Sequence, residues 1–270
     1  MQIGINRWTM PSDWDLGHCF KAAKSAGFDT IEINLAEDGP VHRGMDISDA
    51  HSILRLAKEH GIHLSSLSTG LGWKYPLSSP DPGIRAEGTA VIREMIQVAK
   101  WLGLDTILNV PALVSSDVAY DVAYQRSMEA LKECSAYAEE HEVHIGVENV
   151  WNKFLLSPLE FAGYLDQIDS KWVGAYFDIG NVLLYGYPEH WIKILGNRIC
   201  KVHAKDFRTG IGNGNGFCNI WQGDVNWPRV REALDAIGYK GPVTAEVEGY
   251  RNSPDLGLKH IADSLRSIFI

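Results

Sequence analysis

Four residues of types that bind divalent metal ions stand where short β-rich runs end: Glu148 in GVENVW, Asp178 in FDIGN, His203 in KVHAKDF and Glu246 in GPVTAEVEGY. Their carboxylates and imidazole suit Mn²⁺, Mg²⁺ or Co²⁺ better than the thiolate coordination of a structural zinc. A cation would also answer a burial problem, because carboxylates gathered in a pocket otherwise repel one another and take up protons. Singly, each residue has a plainer reading, Asp178 as a turn cap and His203 as a core imidazole. Together, on successive strands and at the same end, they form a candidate metal set. Glu248, two residues beyond Glu246, would face the same way on a strand; Glu246 is preferred, with Glu248 as its alternative.

Bringing residues nearly a hundred positions apart to one place requires a scaffold that aligns strand ends. Strands are predicted over 2–6, 30–34, 63–68, 106–110, 144–148, 173–178, 199–205 and 243–248. Helices are predicted over 16–26, 49–60, 84–102, 118–141, 158–168, 188–195, 227–237 and 256–268. Eight repeats of strand then helix predict an α/β fold, a single (β/α)₈ TIM barrel, with residues 1–270 as one domain. Gly27, Gly103 and Gly238 each follow an apolar-periodic run, as helix-ending glycines do. Active sites of such barrels are built from the segments after the strands. Two of these segments are long, 69–82 and 206–226, the second carrying GIGNGNG at 210–216; loops of that length are often lids or binding loops, the bland alternative being a surface insertion.

The composition fits this scaffold, with 45% hydrophobic and 22% charged residues in 270. A net charge of −9 with no basic run argues against nucleic acid as a partner. No leader pattern or long apolar span is visible, so the expectation is a cytoplasmic protein without a membrane partner. Cys19, Cys134, Cys200 and Cys218 form no C-x-x-C pair and suggest neither a zinc knuckle nor a disulfide framework.

The order E-N after the fifth strand, D-I-G-N after the sixth, V-H-x-K-D after the seventh and G-P-V-x-x-E in the eighth resembles the xylose-isomerase-like superfamily of sugar isomerases and epimerases. FDTIEINL, LSSLSTGLGW and GDVNWPRV strengthen the resemblance to its ketose 3-epimerases and sugar-phosphate isomerases/epimerases, and it covers nearly the whole chain. The resemblance implies that Glu148, Asp178, His203 and Glu246 bind the metal and that Glu148 and Glu246 also move protons. It implies one divalent ion, Mn²⁺ foremost, with Mg²⁺, Co²⁺ and Zn²⁺ as alternatives. There are departures: some ketose 3-epimerases carry a histidine where this chain has Asn181, and the many histidine ligands of the superfamily's multi-zinc abasic-site endonucleases are missing.

The expected reaction is isomerisation or epimerisation of a ketose or sugar phosphate through a cis-enediolate, with Glu148 and Glu246 as acid and base on opposite faces. Glu32, Trp73, Trp151, Lys153, Lys205, Asp206 and Arg208 follow or end strands and are the candidate substrate-binding residues. The tryptophans would stack on a sugar or simply pack loops. Lys205 and Arg208 would receive a phosphate or stand as solvated charges. A lyase resembling inosose dehydratases and a non-catalytic sugar-binding barrel are the alternatives, and subunit number is left open, a homo-oligomer included.

Overall fold

Short runs of consecutive buried residues form the strands, as in a parallel sheet covered on both faces, and the amphipathic segments between them return the chain to the same end of each strand. A computed structural model describes residues 1–270. Its strands are β1 (Ile3–Asn6), β2 (Thr30–Leu35), β3 (His63–Thr69), β4 (Thr106–Asn109), β5 (His144–Glu148), β6 (Val173–Asp178), β7 (Ile199–Ala204), β8 (Asp206–Phe207), β9 (Phe217–Cys218) and β10 (Val243–Ala245). All but β8 and β9 pair in parallel as a closed barrel in the order β1, β10, β7, β6, β5, β4, β3, β2, and β2 returns to β1. The fold is the (β/α)₈ barrel expected from the alternation.

The helices are α1 (Leu16–Ala26), α2 (Ile47–Glu59), α3 (Leu71–Lys74), α4 (Pro82–Trp101), α5 (Tyr120–His141), α6 (Pro158–Ile168), α7 (Pro188–Leu195), α8 (Trp227–Ala236) and α9 (Pro254–Phe269). Their starts follow local chemistry. Asp15, Ser157 and Asn226 accept first-turn amide protons of α1, α6 and α8, satisfying donors that have no partner within the helix. Gly27 ends α1 at φ 101°, a left-handed conformation that glycine adopts without a Cβ clash. Apolar faces of the helices and the outward faces of the strands make one continuous core, including Ile31, Ile33, Phe177, Trp191 and Trp227.

Three differences from the sequence expectation bear on function. First, β10 ends at Ala245, so Glu246 follows the strand instead of lying within it. Second, the segment after β7 contains the antiparallel ribbon β8–β9, with Asp206 opposite Cys218 and Phe207 opposite Phe217. Third, the segment after β3 holds the short helix α3. Strand register carries the site: Asp178 is the cross-strand neighbour of His203, and Glu148 that of Tyr176. No helix is long and apolar enough to cross a membrane.

Candidate active site

The ends of β5, β6 and β7 and the residue just past β10 deliver Glu148, Asp178, His203 and Glu246 to one place. Each offers a ligand atom, and these atoms all lie within 4.8 Å of one another. That spacing suits a divalent ion with bonds of about 2.0 to 2.6 Å. His203 Nδ1 lies 3.3 Å from Glu148 Oε1 and 3.7 Å from Glu246 Oε2. Asp178 is fully buried, and its Oδ1 accepts the Asn181 amide at 2.8 Å. Its Oδ2 accepts no hydrogen bond, with the Lys205 ammonium 3.2 Å away. An under-coordinated buried carboxylate oxygen beside an imidazole and two more carboxylates is a donor set that fits a cation. Glu248 is excluded from the cluster, its side chain being 89% exposed; the end of β10 at Ala245 removes the alternation that would have aligned it with Glu246.

The two glutamates have different surroundings. Burial pushes the Glu148 carboxyl up to about 7. Burial also opposes ionisation of Glu246, yet the positive charges of Lys205 and His203 outweigh it and hold that carboxyl below its ordinary value. Burial raises Asp178. Lys205 donates to Glu246 and lies 5.4 Å from the Phe217 ring centre, so its ammonium belongs to the cluster itself. Its path depends on Gly180: a Cβ there would lie 2.7 Å from the Lys205 carbonyl oxygen, which explains the glycine in FDIGN.

A polar layer lies beneath the cluster, inside the barrel. Glu32 of β2 is fully buried and accepts from Ser66 at 2.6 Å and from Asn6 and Tyr176. Its Oε1 lies 2.8 Å from His203 Nε2. Glu32, expected among the substrate-binding residues, is thus enclosed by partners on β1, β3, β6 and β7. Gly146 makes room for this layer, since a Cβ at that position would meet the Tyr176 ring at 2.9 Å. Asn6, Ser66 and Tyr176 were missed as site residues. Their signal was polar character at alternate positions, as in TIEINL, where Thr30, Glu32 and Asn34 share one strand face.

Asp206, also expected among the substrate-binding residues, has its own set of partners. It is fully buried, accepting the backbone amides of Phe207 and Val225 at 2.9 and 3.0 Å and Trp227 Nε1 at 3.0 Å. These bonds pin both ends of the long post-β7 segment and engage both carboxylate oxygens. Trp73, Trp151, Lys153 and Arg208 are all at the surface around the carboxyl ends of the strands. Trp151 donates to the Asn181 carbonyl at 2.8 Å and packs on Phe207 and Phe217, with ring centres 5.4 and 4.9 Å apart. Trp151 and Lys153 also line a mostly apolar side cavity of about 600 Å³, whose walls include none of the four cluster residues. Arg208 donates to the Gln222 carbonyl at 2.9 Å.

Asn149 and Asn181, neither expected as a site residue, cross-brace the segments after β5 and β6. Asn149 accepts the Asp178 amide at 2.9 Å and donates to the Asp178 carbonyl at 2.8 Å, while Asn181 donates to the Asn149 carbonyl at 2.8 Å. Asn149 directly follows Glu148 and bonds both backbone groups of Asp178, so the backbone that presents those carboxylates is fixed. Here the departure at Asn181 acquires a physical meaning, since its amide group is engaged in the brace.

The chain is 28% identical over 258 residues to the L-ribulose-5-phosphate 3-epimerase UlaE of Salmonella typhimurium, covering 91% of this chain and 86% of that protein. The enzyme of the same name from Shigella flexneri is 27% identical with the same coverage. Among solved structures, D-psicose 3-epimerase from Clostridium cellulolyticum superposes with a TM-score of 0.84 at 19% identity, covering 99% of each chain. A D-tagatose 3-epimerase-like protein gives a TM-score of 0.82 at 22% identity, covering 99% of this chain and 98% of that one. These two structural likenesses establish the fold. A family model described as xylose isomerase-like TIM barrel matches residues 20–268; the chain belongs to the xylose isomerase-like TIM barrel family.

Proposed function

We propose that this protein is a divalent-metal-dependent sugar epimerase/isomerase that acts on a ketose or ketose phosphate, one glutamate taking a proton from the sugar and a second glutamate delivering another. The observation that carries the reading is that Glu148 and Glu246 both approach His203 Nδ1, at 3.3 and 3.7 Å, in environments that push their carboxyls in opposite directions. Divergent carboxyl environments are how one site keeps an acid beside a base. Glu148, Asp178, His203 and Glu246 would hold the ion, Mn²⁺ foremost. When bound it would supply Lewis-acid stabilisation of the charge that develops on the sugar oxygens. One glutamate removes the proton alpha to the carbonyl and the other returns one from the opposite face, inverting that carbon. Lys205, bonded to Glu246, favours its ionised form, and the Asn149–Asn181 brace keeps Glu148 and Asp178 in place.

The names of the relatives favour 3-epimerisation, with a pentulose phosphate among the substrates to try first. Localisation in the cytoplasm belongs to the same proposal; the four cysteines are all free thiols, as suits a reducing compartment. The test incubates Mn²⁺-loaded protein with L-ribulose 5-phosphate and, separately, with free ketoses, following products by NMR and mass. Epimer formation at unchanged mass supports the reading. Loss of one water would assign a lyase instead, and stable Mn²⁺ loading with no conversion of any ketose would contradict it.

A further inference from the structure

We propose that Glu32 is a positioning residue for the metal centre: by accepting the Nε2 proton of His203 it leaves Nδ1 as the bare nitrogen that faces the cluster. The inference rests on the reading of Glu148, Asp178, His203 and Glu246 as a metal centre, and it adds a fifth residue that touches neither ion nor sugar. Three observations carry it. His203 and Glu32 are both fully buried, with Nε2 2.8 Å from Oε1, so water competes at neither end of the contact. The other ring nitrogen, Nδ1, is the one directed at Glu148 and Glu246. The remaining groups bonded to Glu32 are the neutral donors Asn6, Ser66 and Tyr176.

No lysine or arginine pairs with Glu32, so the imidazole is the one donor to its carboxylate that can carry a positive charge. A neutral imidazole carries a single N–H, and a carboxylate fixed at Nε2 decides which nitrogen holds it. A carboxylate behind a metal-binding histidine orients the ring and strengthens the nitrogen as a ligand, and removing it typically weakens metal binding by about 10- to 100-fold. A purely space-filling role would require no charge, which separates the two explanations experimentally.

The test compares Mn²⁺ affinity of the wild type, Glu32→Gln and Tyr176→Phe by calorimetry, with circular dichroism to establish folding. Glutamine keeps the shape, and the Ser66 and Tyr176 hydroxyls can turn to accept from its amide. The expected result is Mn²⁺ binding about 10- to 100-fold weaker in Glu32→Gln, with a much smaller change in Tyr176→Phe, which leaves the Glu32–His203 contact in place. Wild-type affinity in folded Glu32→Gln would overturn the inference while leaving the metal centre standing. A wild-type chain that takes up no Mn²⁺ would overturn the metal reading and this inference with it. Nitrogen-15 NMR of His203 in wild-type protein loaded with diamagnetic Mg²⁺ decides the matter even if the variant does not fold. A proton on Nε2 and none on Nδ1 supports the role of Glu32; a proton on Nδ1 overturns it.

Discussion

At the scale of single residues, Glu148 and Glu246 share a chemistry and differ in what surrounds them: burial alone dominates one, and an ammonium bonds the other. If each exchanges a proton with its own face of the sugar, Glu148→Gln and Glu246→Gln should each lower kcat by about 10² to 10⁴-fold when bound metal is held equal to wild type. Steady-state kinetics beside metal analysis checks this, and a metal-replete variant with wild-type kcat would remove that residue from the mechanism. The same surroundings predict a pH dependence of metal binding. With its carboxyl raised to about 7 in the metal-free protein, Glu148 holds a proton below that pH and must release it to become a ligand. Apparent Mn²⁺ affinity should therefore rise as pH climbs from 5 to about 7.5, with proton release on binding at pH 6. Calorimetry in buffers of different ionisation enthalpy measures that release, and pH-independent affinity would contradict it. The four clustered residues were legible because each lies at or just past the carboxyl end of a recognisable strand. The enclosure of Glu32 and Asp206 was not legible because their partners lie elsewhere in the sequence: Tyr176 is 144 positions from Glu32, and Trp227 is 21 from Asp206. Burial of that kind is a property of barrel closure and has no local signature.

At the scale of elements, the turn after β6 shows how backbone and chemistry are coupled. Gly180 begins a 3₁₀ turn that runs to Val182, and Lys205 crosses it so closely that a Cβ would stand 2.7 Å from the lysine's carbonyl oxygen. A backbone obstacle cannot rotate away as a side-chain tip can. Gly180→Ala should therefore displace Lys205 from Glu246 and Asp178, lowering thermal stability by about 1 to 3 kcal/mol and reducing activity. Thermal unfolding and kinetics together check this; a variant unchanged in both would show that the crossing relaxes freely. The elements themselves were largely visible in advance: α1, α6, α7, β5 and β6 have the bounds that apolar periodicity and flanking residues predict. The ribbon β8–β9 was not, because strands of two residues carry too little periodicity to be seen. The end of β10 was also misplaced, since VTAEVE continues to alternate in type after the backbone leaves the sheet. That early exit is what separates Glu246 from Glu248.

At the scale of the whole molecule, the barrel concentrates negative charge in its interior: Glu32, Glu148, Asp178 and Glu246 face one imidazole and one ammonium. A cation that binds this arrangement in the folded chain and not in the unfolded one must stabilise the fold, by about 2.7 kcal/mol at a hundredfold excess over Kd. Removing metal with a chelator should therefore lower Tm by several degrees, reversibly on adding Mn²⁺, and calorimetry showing the same Tm with and without the ion would count against the metal centre. The central claim, that two glutamates at this centre move a proton on a sugar, is tested most directly by NMR of a ketose substrate incubated with metal-loaded protein in D₂O. The account predicts deuterium at the carbon alpha to the carbonyl in the epimerised product, one atom per inversion, with loss of that incorporation in the double variant Glu148→Gln/Glu246→Gln. Epimerisation without any solvent deuterium, or undiminished exchange in the metal-replete double variant, would contradict it.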